Sequence, residues 1–473
     1  MLNLVTIESS KMNRRNFLKA SAAGSGALAL SACDPPTGPL AEKRNVVMIC
    51  VDDMNDYPGF MGGYAGDSET PHMDDMSASS LYFKNAHCVV PVCMPSRAAV
   101  MFSKSPEETG IYGHDGFINY GEGTSFRRYQ DMLNDPSVLS LPQMLSAYGD
   151  IVTFSTGKVF HDSEPSQWDF EKKYESLNSF YNRSEGQIDG FKYGVMPEGE
   201  IHPDQASASW ASNVLGGLLE QQTFLSIGLF QPHVPWNVPQ WAYDLHPLDN
   251  VVVPELRSDD LDDLSDAGKA MANSPYISEG QPNYDLMVDV GTQAKVVQAY
   301  LAAMSHTDAM IGQILEAIDS GPNAGNTDVI LWSDHGYHLG EKLHVRKATM
   351  WEQATRVPLL IRTPGLSGEV TQPASLQDIA TTVMDMMGLD SEAIAESEGL
   401  DGHSLLQQGR TEARTYWSGG SSLRSERYRY IRYSDGSEEL YDHDSDPHEY
   451  TNMANHPASQ NIVQYFRGLD PNT

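Results

Sequence analysis

A lone cysteine in a proline-flanked segment, Pro91-Val92-Cys93-Met94-Pro95, is followed by Ser96-Arg97. A thiolate there is a candidate nucleophile, and the nearby guanidinium favours its charged form. A lone cysteine is by default a loop residue of no consequence, so the weight of Cys93 depends on its company. Other reactive side chains recur in one kind of place. Asp52-Asp53, Lys158 with His161, His233, and Asp334-His335 each come shortly after a run of apolar residues. Asp52, Asp53 and Asp334 offer hard oxygen donors, which suit Ca²⁺ or Mg²⁺ better than Zn²⁺. His335 is a less typical ligand for a hard ion, so donor types alone leave the metal open. A divalent ion among these carboxylates would offset their repulsion and polarise an anionic substrate oxygen. Taken singly, each residue has a plainer explanation, since aspartates after strands cap helices and isolated histidines are commonly structural.

The apolar runs explain why these residues should meet. Asn45 to Val51, Ile151 to Phe154, Phe224 to Leu229, Val329 to Trp332 and Val357 to Ile361 are continuous rather than alternating. That pattern marks strands buried on both faces, as in a parallel sheet. Helical spacing falls between them: Thr70 to Ser80, Ala206 to Gln221, Lys295 to Asp319 and Leu376 to Met387. The expectation is an α/β fold with a large, mostly parallel sheet sandwiched by helices. Ligands gather beyond the carboxyl ends of such strands, where the reactive residues lie. The polar stretch Leu256 to Asp289 reads as an insertion. After His403 the texture changes. Arg427 to Tyr433 alternates, and Gly436 turns the chain into Glu439-Leu440-Tyr441, predicting a small antiparallel C-terminal subdomain. Trp236 and Trp241 follow His233 and offer either ring faces for a sugar or ordinary packing.

The 473 residues carry a formal net charge of −33. Such acidity argues against a nucleic-acid partner and requires any anionic substrate to find positive charge gathered locally. Near the start, Arg14-Arg15-Asn16-Phe17-Leu18-Lys19 is a twin-arginine pattern. The apolar stretch behind it, Ala20 to Leu30, is too short to span a membrane and reads as a signal region. Leu30-Ser31-Ala32-Cys33 resembles a bacterial lipobox, which makes Cys33 a lipid-bearing first residue; cleavage with Cys33 incidental is the alternative. The expected protein is exported by the twin-arginine route, is periplasmic, and meets the membrane only through that anchor. Cys50 and Cys88 are too few for a disulfide framework and read as buried thiols.

Cys93-Met94-Pro95-Ser96-Arg97 resembles the signature of type I sulfatases, within the alkaline-phosphatase-like superfamily. The resemblance extends to Asp52-Asp53, Thr70-Pro71-His72-Met73-Asp74, Gly157-Lys158, Ser333-Asp334-His335-Gly336, Leu339-Gly340-Glu341 and Glu439-Leu440-Tyr441-Asp442. Gly157-Lys158-Val159-Phe160-His161 and Gln231-Pro232-His233-Val234-Pro235 look most like the iduronate-2-sulfatase branch. The resemblance implies that a formylglycine-generating enzyme oxidises Cys93 to formylglycine. One hydroxyl of the hydrated aldehyde attacks sulfur, and the sulfated diol expels sulfate by reforming the aldehyde. It implies one Ca²⁺ held by Asp52, Asp53, Asp334, His335 and the modified Cys93. Arg97 and Lys158 would hold formylglycine and neutralise sulfate; His161 would be the base for sulfate elimination; His233 and Lys347 would bind sulfate and protonate the leaving alcohol. It implies a sulfated saccharide as substrate. The signature departs from the family after Arg97: where Leu-x-Thr-Gly-Arg is usual, this chain has Met101-Phe102-Ser103-Lys104-Ser105. Two other readings compete, a phosphate or phosphonate monoester hydrolase of the same superfamily and a non-catalytic lipoprotein that binds sulfated glycans. The organisation expected is a signal peptide over 1–32, a linker over 33–43, a catalytic domain over 44–408 and a C-terminal subdomain over 409–473.

Overall fold

The computed structural model describes residues 44–113, 124–173, 186–188, 191–273, 291–407 and 410–469. The signal, the linker, the boundary at 408 and 409 and most of the second half of the polar stretch 256–289 lie outside the described residues. A sheet of eight strands forms the centre. They are β1 (Asn45–Val51), β2 (Leu81–His87), β3 (Val152–Gly157), β4 (Phe170–Lys172), β5 (Thr223–Leu229), β6 (Thr327–Ser333), β7 (Leu359–Arg362) and β8 (Gly368–Ser375). Their order is β8-β2-β7-β6-β1-β5-β3-β4. All run parallel except β7, which is antiparallel to both of its neighbours.

The continuous apolar character of β1 follows from covering on both faces. Val47, Ile49 and Val51 point into one core with helices α1 (Pro71–Ala78), α4 (Pro203–Leu215) and α5 (Gln293–Asp319). Val46, Met48 and Cys50 point into the other, against α2 (Cys93–Phe102), α3 (Leu141–Gly149) and α6 (Ile379–Met386). Successive side chains of a strand face opposite sides, so a strand between two helical layers must be apolar at every position. A second, antiparallel sheet of four strands follows: β9 (Ala413–Trp417), β10 (Gly420–Arg424), β11 (Tyr428–Arg432) and β12 (Glu438–Asp442). Tyr416, Trp417, Ile431 and Tyr441 pack it against Trp351 and the segment Val89 to Val92. Leu423, Tyr430 and Leu440 cover its other face with α7 (Gln460–Arg467).

Several expectations need correction. The apolar pattern predicts neither β2 nor β8, because Lys84 interrupts the first and β8 is mostly polar, with its first residues exposed. The run at 357–361 is a strand but opposes the sheet direction, which composition does not encode. The helix expected over 206–221 is Pro203–Leu215, started by Pro203 and capped by His202. Within the insertion, Asp266–Asn273 is helical.

Candidate active site

Strand register brings the reactive residues to one level. Val51 pairs with Leu229 on one side and with Ser333 on the other, so β1, β5 and β6 end together. The next residues continue the ladder. The Asp52 N–H donates to the Leu229 carbonyl at 3.1 Å and the Asp334 N–H to the Val51 carbonyl at 3.1 Å. Asp53 turns with a φ of 63°. Its N–H donates to Asp334 Oδ1 (3.1 Å), and its carbonyl accepts from the Tyr300 hydroxyl (2.9 Å), which fixes that turn. At the end of β3, Gly157 pairs with Gly228 and has a φ of +72°; a Cβ there would lie 1.8 Å from the Gly228 carbonyl oxygen. Only glycine fits this approach, and the chain then places Lys158 over the end of β1.

Cys93 is the first residue of α2, and the positive end of the helix dipole favours an anion beside it. The Ser96 hydroxyl donates to the Asp334 carbonyl at 2.6 Å and ties this turn to β6. Lys347 arrives on a loop held by two bonds: the Ala348 N–H donates to Pro91 O (3.1 Å), and His344 Nε2 meets the Lys347 carbonyl at 3.1 Å.

The side chains converge on Cys93. Its Sγ lies 2.9 Å from Lys347 Nζ, 3.2 Å from His335 Nε2 and 3.9 Å from Asp53 Oδ1. Lys347 Nζ also donates to Asp53 Oδ1 at 2.6 Å, and Lys158 Nζ to Asp52 Oδ2 at 2.5 Å. His335 Nε2 is 3.3 Å from Asp53 Oδ1 and 3.5 Å from Asp334 Oδ1. His233 Nε2 stands 3.9 Å from Asp53 Oδ2. Arg97, one helical turn beyond Cys93, is fully buried. Its Nε donates to Asp334 Oδ2 at 2.8 Å, and its other nitrogens meet Asp52 Oδ1 (3.7 Å) and the carbonyls of Val51 (3.3 Å), Lys158 and Val159 (3.1 Å). Arg97 thus acts on the site through carboxylates and backbone, from below.

Mixed charge in a dry setting shifts these groups. Burial and Asp52 push the Cys93 thiol up, but Lys158, Lys347 and His335 outweigh them and hold it well below its ordinary value. Burial raises Asp334 to about 7, Arg97 opposing and Asp52 adding to the rise. Burial works against the charged form of His335, yet Asp334 beside it lifts the imidazole to about 9. Asp52 overcomes its burial through Lys158 and stays well below the carboxylate range.

The donor set fits a divalent cation. One donor atom each from Asp52, Cys93, Asp334 and His335 falls within 4.8 Å of the others, and the same holds for Asp53, Cys93 and His233. Asp52 Oδ1 and Asp53 Oδ2 are buried and have no hydrogen-bond partner among the described residues. An unpartnered buried carboxylate oxygen is costly, and a hard ion is the partner its chemistry fits.

The remaining expected residues sit further out. His161 is at the rim, with Nδ1 3.3 Å from Asp162 Oδ2 and burial lowering its pKa. Trp236 is fully buried and gives its indole N–H to the Pro232 carbonyl at 2.5 Å, so it is packing and offers no face to a sugar. Trp241 is 43% exposed. Lys104 and Ser105 bond to Glu108, Gly399 and Asp401, away from Cys93. The positioning roles of Tyr300 and His344 had no sequence signal, since each depends on a contact across the fold.

Residues 44–389 match the sulfatase family profile. A sulfatase of Formosa agariphila is 31% identical over 459 residues, covering 91% of this chain and 87% of that protein. The chain belongs to the sulfatase family. This sulfatase is accordingly a sulfuric ester hydrolase. It is also similar to the iduronate 2-sulfatase of Mus musculus, at 29% identity over 351 residues, 68% of this chain and 59% of that one. Among solved structures, a 2-O GAG sulfatase aligns with a TM-score of 0.65 at 18% identity, covering 90% of this chain and 91% of the other, and shows the shared fold. Residues 11–31 match a twin-arginine translocation signal sequence, which supports export by that route. No helix among the described residues is long and apolar enough to cross a membrane.

Proposed function

We propose that this sulfatase releases sulfate from a sulfated carbohydrate, using formylglycine made from Cys93 and one calcium ion held by Asp52, Asp53, Asp334, His335 and the modified Cys93. The observation that carries this reading is the enclosure of Cys93 Sγ by Lys347, His335 and Asp53 within 3.9 Å. Calcium, when bound, supplies a Lewis acid for a sulfate oxygen and offsets the charge of the carboxylates. Formylglycine supplies, as its hydrate, one hydroxyl to attack sulfur and a second through which the aldehyde reforms. The chain's own side chains do the rest. Lys158 and Lys347 gather positive charge against the sulfate, the local concentration that a chain of net charge −33 otherwise lacks. Arg97 holds Asp334 and Asp52 in place and adds charge beneath them. His233 Nε2 and Lys347 Nζ deliver a proton to the departing alcohol, and His161 accepts one as sulfate leaves.

The likeness to a relative named for iduronate supports a sulfated sugar as substrate. A formylglycine-generating enzyme is the maturation partner, and Cys33 carries the lipid that holds the exported chain at a membrane facing the periplasm. The test is a turnover comparison of aryl sulfate, aryl phosphate and defined sulfated saccharides, with calcium or with chelator. Calcium-dependent sulfate release that exceeds phosphate release is expected. Faster phosphate turnover would overturn the proposal in favour of a phosphomonoester hydrolase.

A further inference from the structure

A second buried cluster has metal-binding chemistry that the Cys93 site does not use. His202 is the N-cap residue of α4, Asp204 lies in its first turn and His306 projects from α5; all are buried. One donor atom from each falls within 4.8 Å of the others. His202 Nδ1 stands 3.7 Å from Asp204 Oδ2, and the two imidazole rings meet edge to face with centroids 4.6 Å apart.

Two features are not explained by packing. Among the described residues Asp204 has no lysine or arginine partner. Its carboxylate accepts only the backbone N–H groups of Phe230 (2.7 Å) and Gln231 (2.9 Å). His306 Nδ1 is buried and has no hydrogen-bond partner among the described residues. A buried carboxyl group without a counter-charge and a buried nitrogen without a partner each carry a penalty. One cation among them relieves both. Burial lowers His202 well below its ordinary value and His306 to about 4, so both imidazoles are held in the neutral form that ligates metals; it also raises the Asp204 carboxyl to about 7.

We propose that His202, Asp204 and His306 form a structural site for a transition-metal dication, Zn²⁺ foremost, separate from the calcium donors. Two imidazole nitrogens and one carboxylate suit zinc, whereas calcium prefers oxygen donors throughout. Zinc bonds of about 2.0–2.2 Å bring neighbouring donors to a little over 3 Å. His202 Nδ1 and Asp204 Oδ2 are already near that spacing, and His306 closes by side-chain rotation. Loading exchanges the 3.0 Å hydrogen bond from the Asp204 N–H to His202 Nδ1 for a metal bond. The ion clips α4 to α5 beneath Phe230 and Gln231, the residues that lead into His233.

The test reads metal rather than turnover. Full-length protein is stripped with a zinc-selective chelator, reloaded with Co²⁺ or Zn²⁺ in the presence of excess Ca²⁺, and analysed for bound metal and visible Co²⁺ absorption. Wild type should hold one more transition-metal ion per chain than His306→Phe, which keeps a ring and removes the nitrogens. Zinc should raise the melting temperature of wild type and leave that of the variant unchanged. Equal metal content in both would overturn the proposal. Should the variant not fold, an anomalous-diffraction map of wild type at the zinc edge decides: density between His202 and His306 supports the site, and density confined to Asp52 and Asp334, or none, refutes it.

Discussion

Two buried charge clusters in this sulfatase are built from similar parts and end in opposite states. Around Cys93, three carboxylates and a thiol of lowered pKa face Arg97, Lys158, Lys347 and His335, and two carboxylate oxygens have no hydrogen-bond partner among the described residues. Between β6's following loop and the antiparallel sheet, Glu352 and Glu449 face Arg424, Arg429 and His443. There Glu352 Oε2 accepts from Arg429 and Arg424 (3.2 Å), while Glu449 accepts from the Glu352 N–H (2.9 Å) and pairs with Arg429 (2.6 Å) and His443 (3.1 Å). The second cluster is closed by counter-charge: donor atoms of Glu352, His443 and Glu449 also lie within 4.8 Å of one another, but its acids are already paired with arginines. The first is open at the atoms where a cation or anion would bind. Partner supply, rather than burial or charge density, separates a binding centre from a structural clamp.

Cys93→Ala removes the reacting group and tests the open cluster most severely. Aryl sulfate turnover is expected to fall by about 10⁶-fold, as for other covalent nucleophiles. Stability should hold to within about 1 kcal/mol, because the thiol adds charge to a crowded site and little packing; a parallel melting curve checks this. Asp334→Asn keeps the shape and removes one candidate calcium donor. Turnover should drop by about 10²–10³-fold, on the scale of one lost preorganised charge contact, and the rise in melting temperature expected when calcium is added to wild type should be lost.

The closed cluster should respond the other way. Glu352→Gln leaves Arg424 without its carboxylate and Arg429 with Glu449 alone in a dry interface, and is expected to lower the unfolding free energy by about 3–5 kcal/mol. Turnover per folded molecule should stay at the wild-type level. Urea unfolding with an activity measurement on the folded fraction separates the two effects; a loss of turnover without a loss of stability would erase the distinction between the clusters.

The clusters should also titrate in opposite directions. Burial acts against the charged Glu352, but Arg424, His443 and Arg429 hold it well below its ordinary 4.5. Its stabilisation is therefore present above pH 4.5 and is lost as pH falls through the lower folded-state value. His335 is raised from 6.5 to about 9, so in calcium-free protein its contribution is full below pH 6.5 and fades as pH rises through 9. Melting temperature against pH should show both limbs, the acid one reduced in Glu352→Gln. The smallest change is expected from Trp241→Ala. An exposed ring stacked on a sugar contributes roughly 0.5–1.5 kcal/mol, so KM for a saccharide should rise by no more than about tenfold while aryl sulfate turnover holds.

The legibility of this molecule followed the same division. Strands β1, β5 and β6 announce themselves because both faces are covered, and the residues that end them form the open cluster. Cys93 and Arg97 are four apart on one helix, which local pattern reveals, although the depth of Arg97 is set by register with Asp334. The closed cluster was unreadable, since Glu352, Arg429 and Glu449 meet only when the second sheet docks. The same holds for His202 and His306, which lie on different helices. The reversed direction of β7 likewise depends on where the chain returns, a property of topology rather than of the apolar run at 357–361.

The central claim rests on the chemical state of one residue. Protein purified from its native host, digested and analysed by peptide mass spectrometry over Cys93, tests it directly. A peptide about 18 Da lighter than the cysteine form is expected, the change from a thiol-bearing carbon to an aldehyde rather than a step on the usual thiol oxidation ladder. A peptide carrying only unmodified Cys93, in protein that still hydrolyses sulfate esters, would rule out formylglycine as the nucleophile.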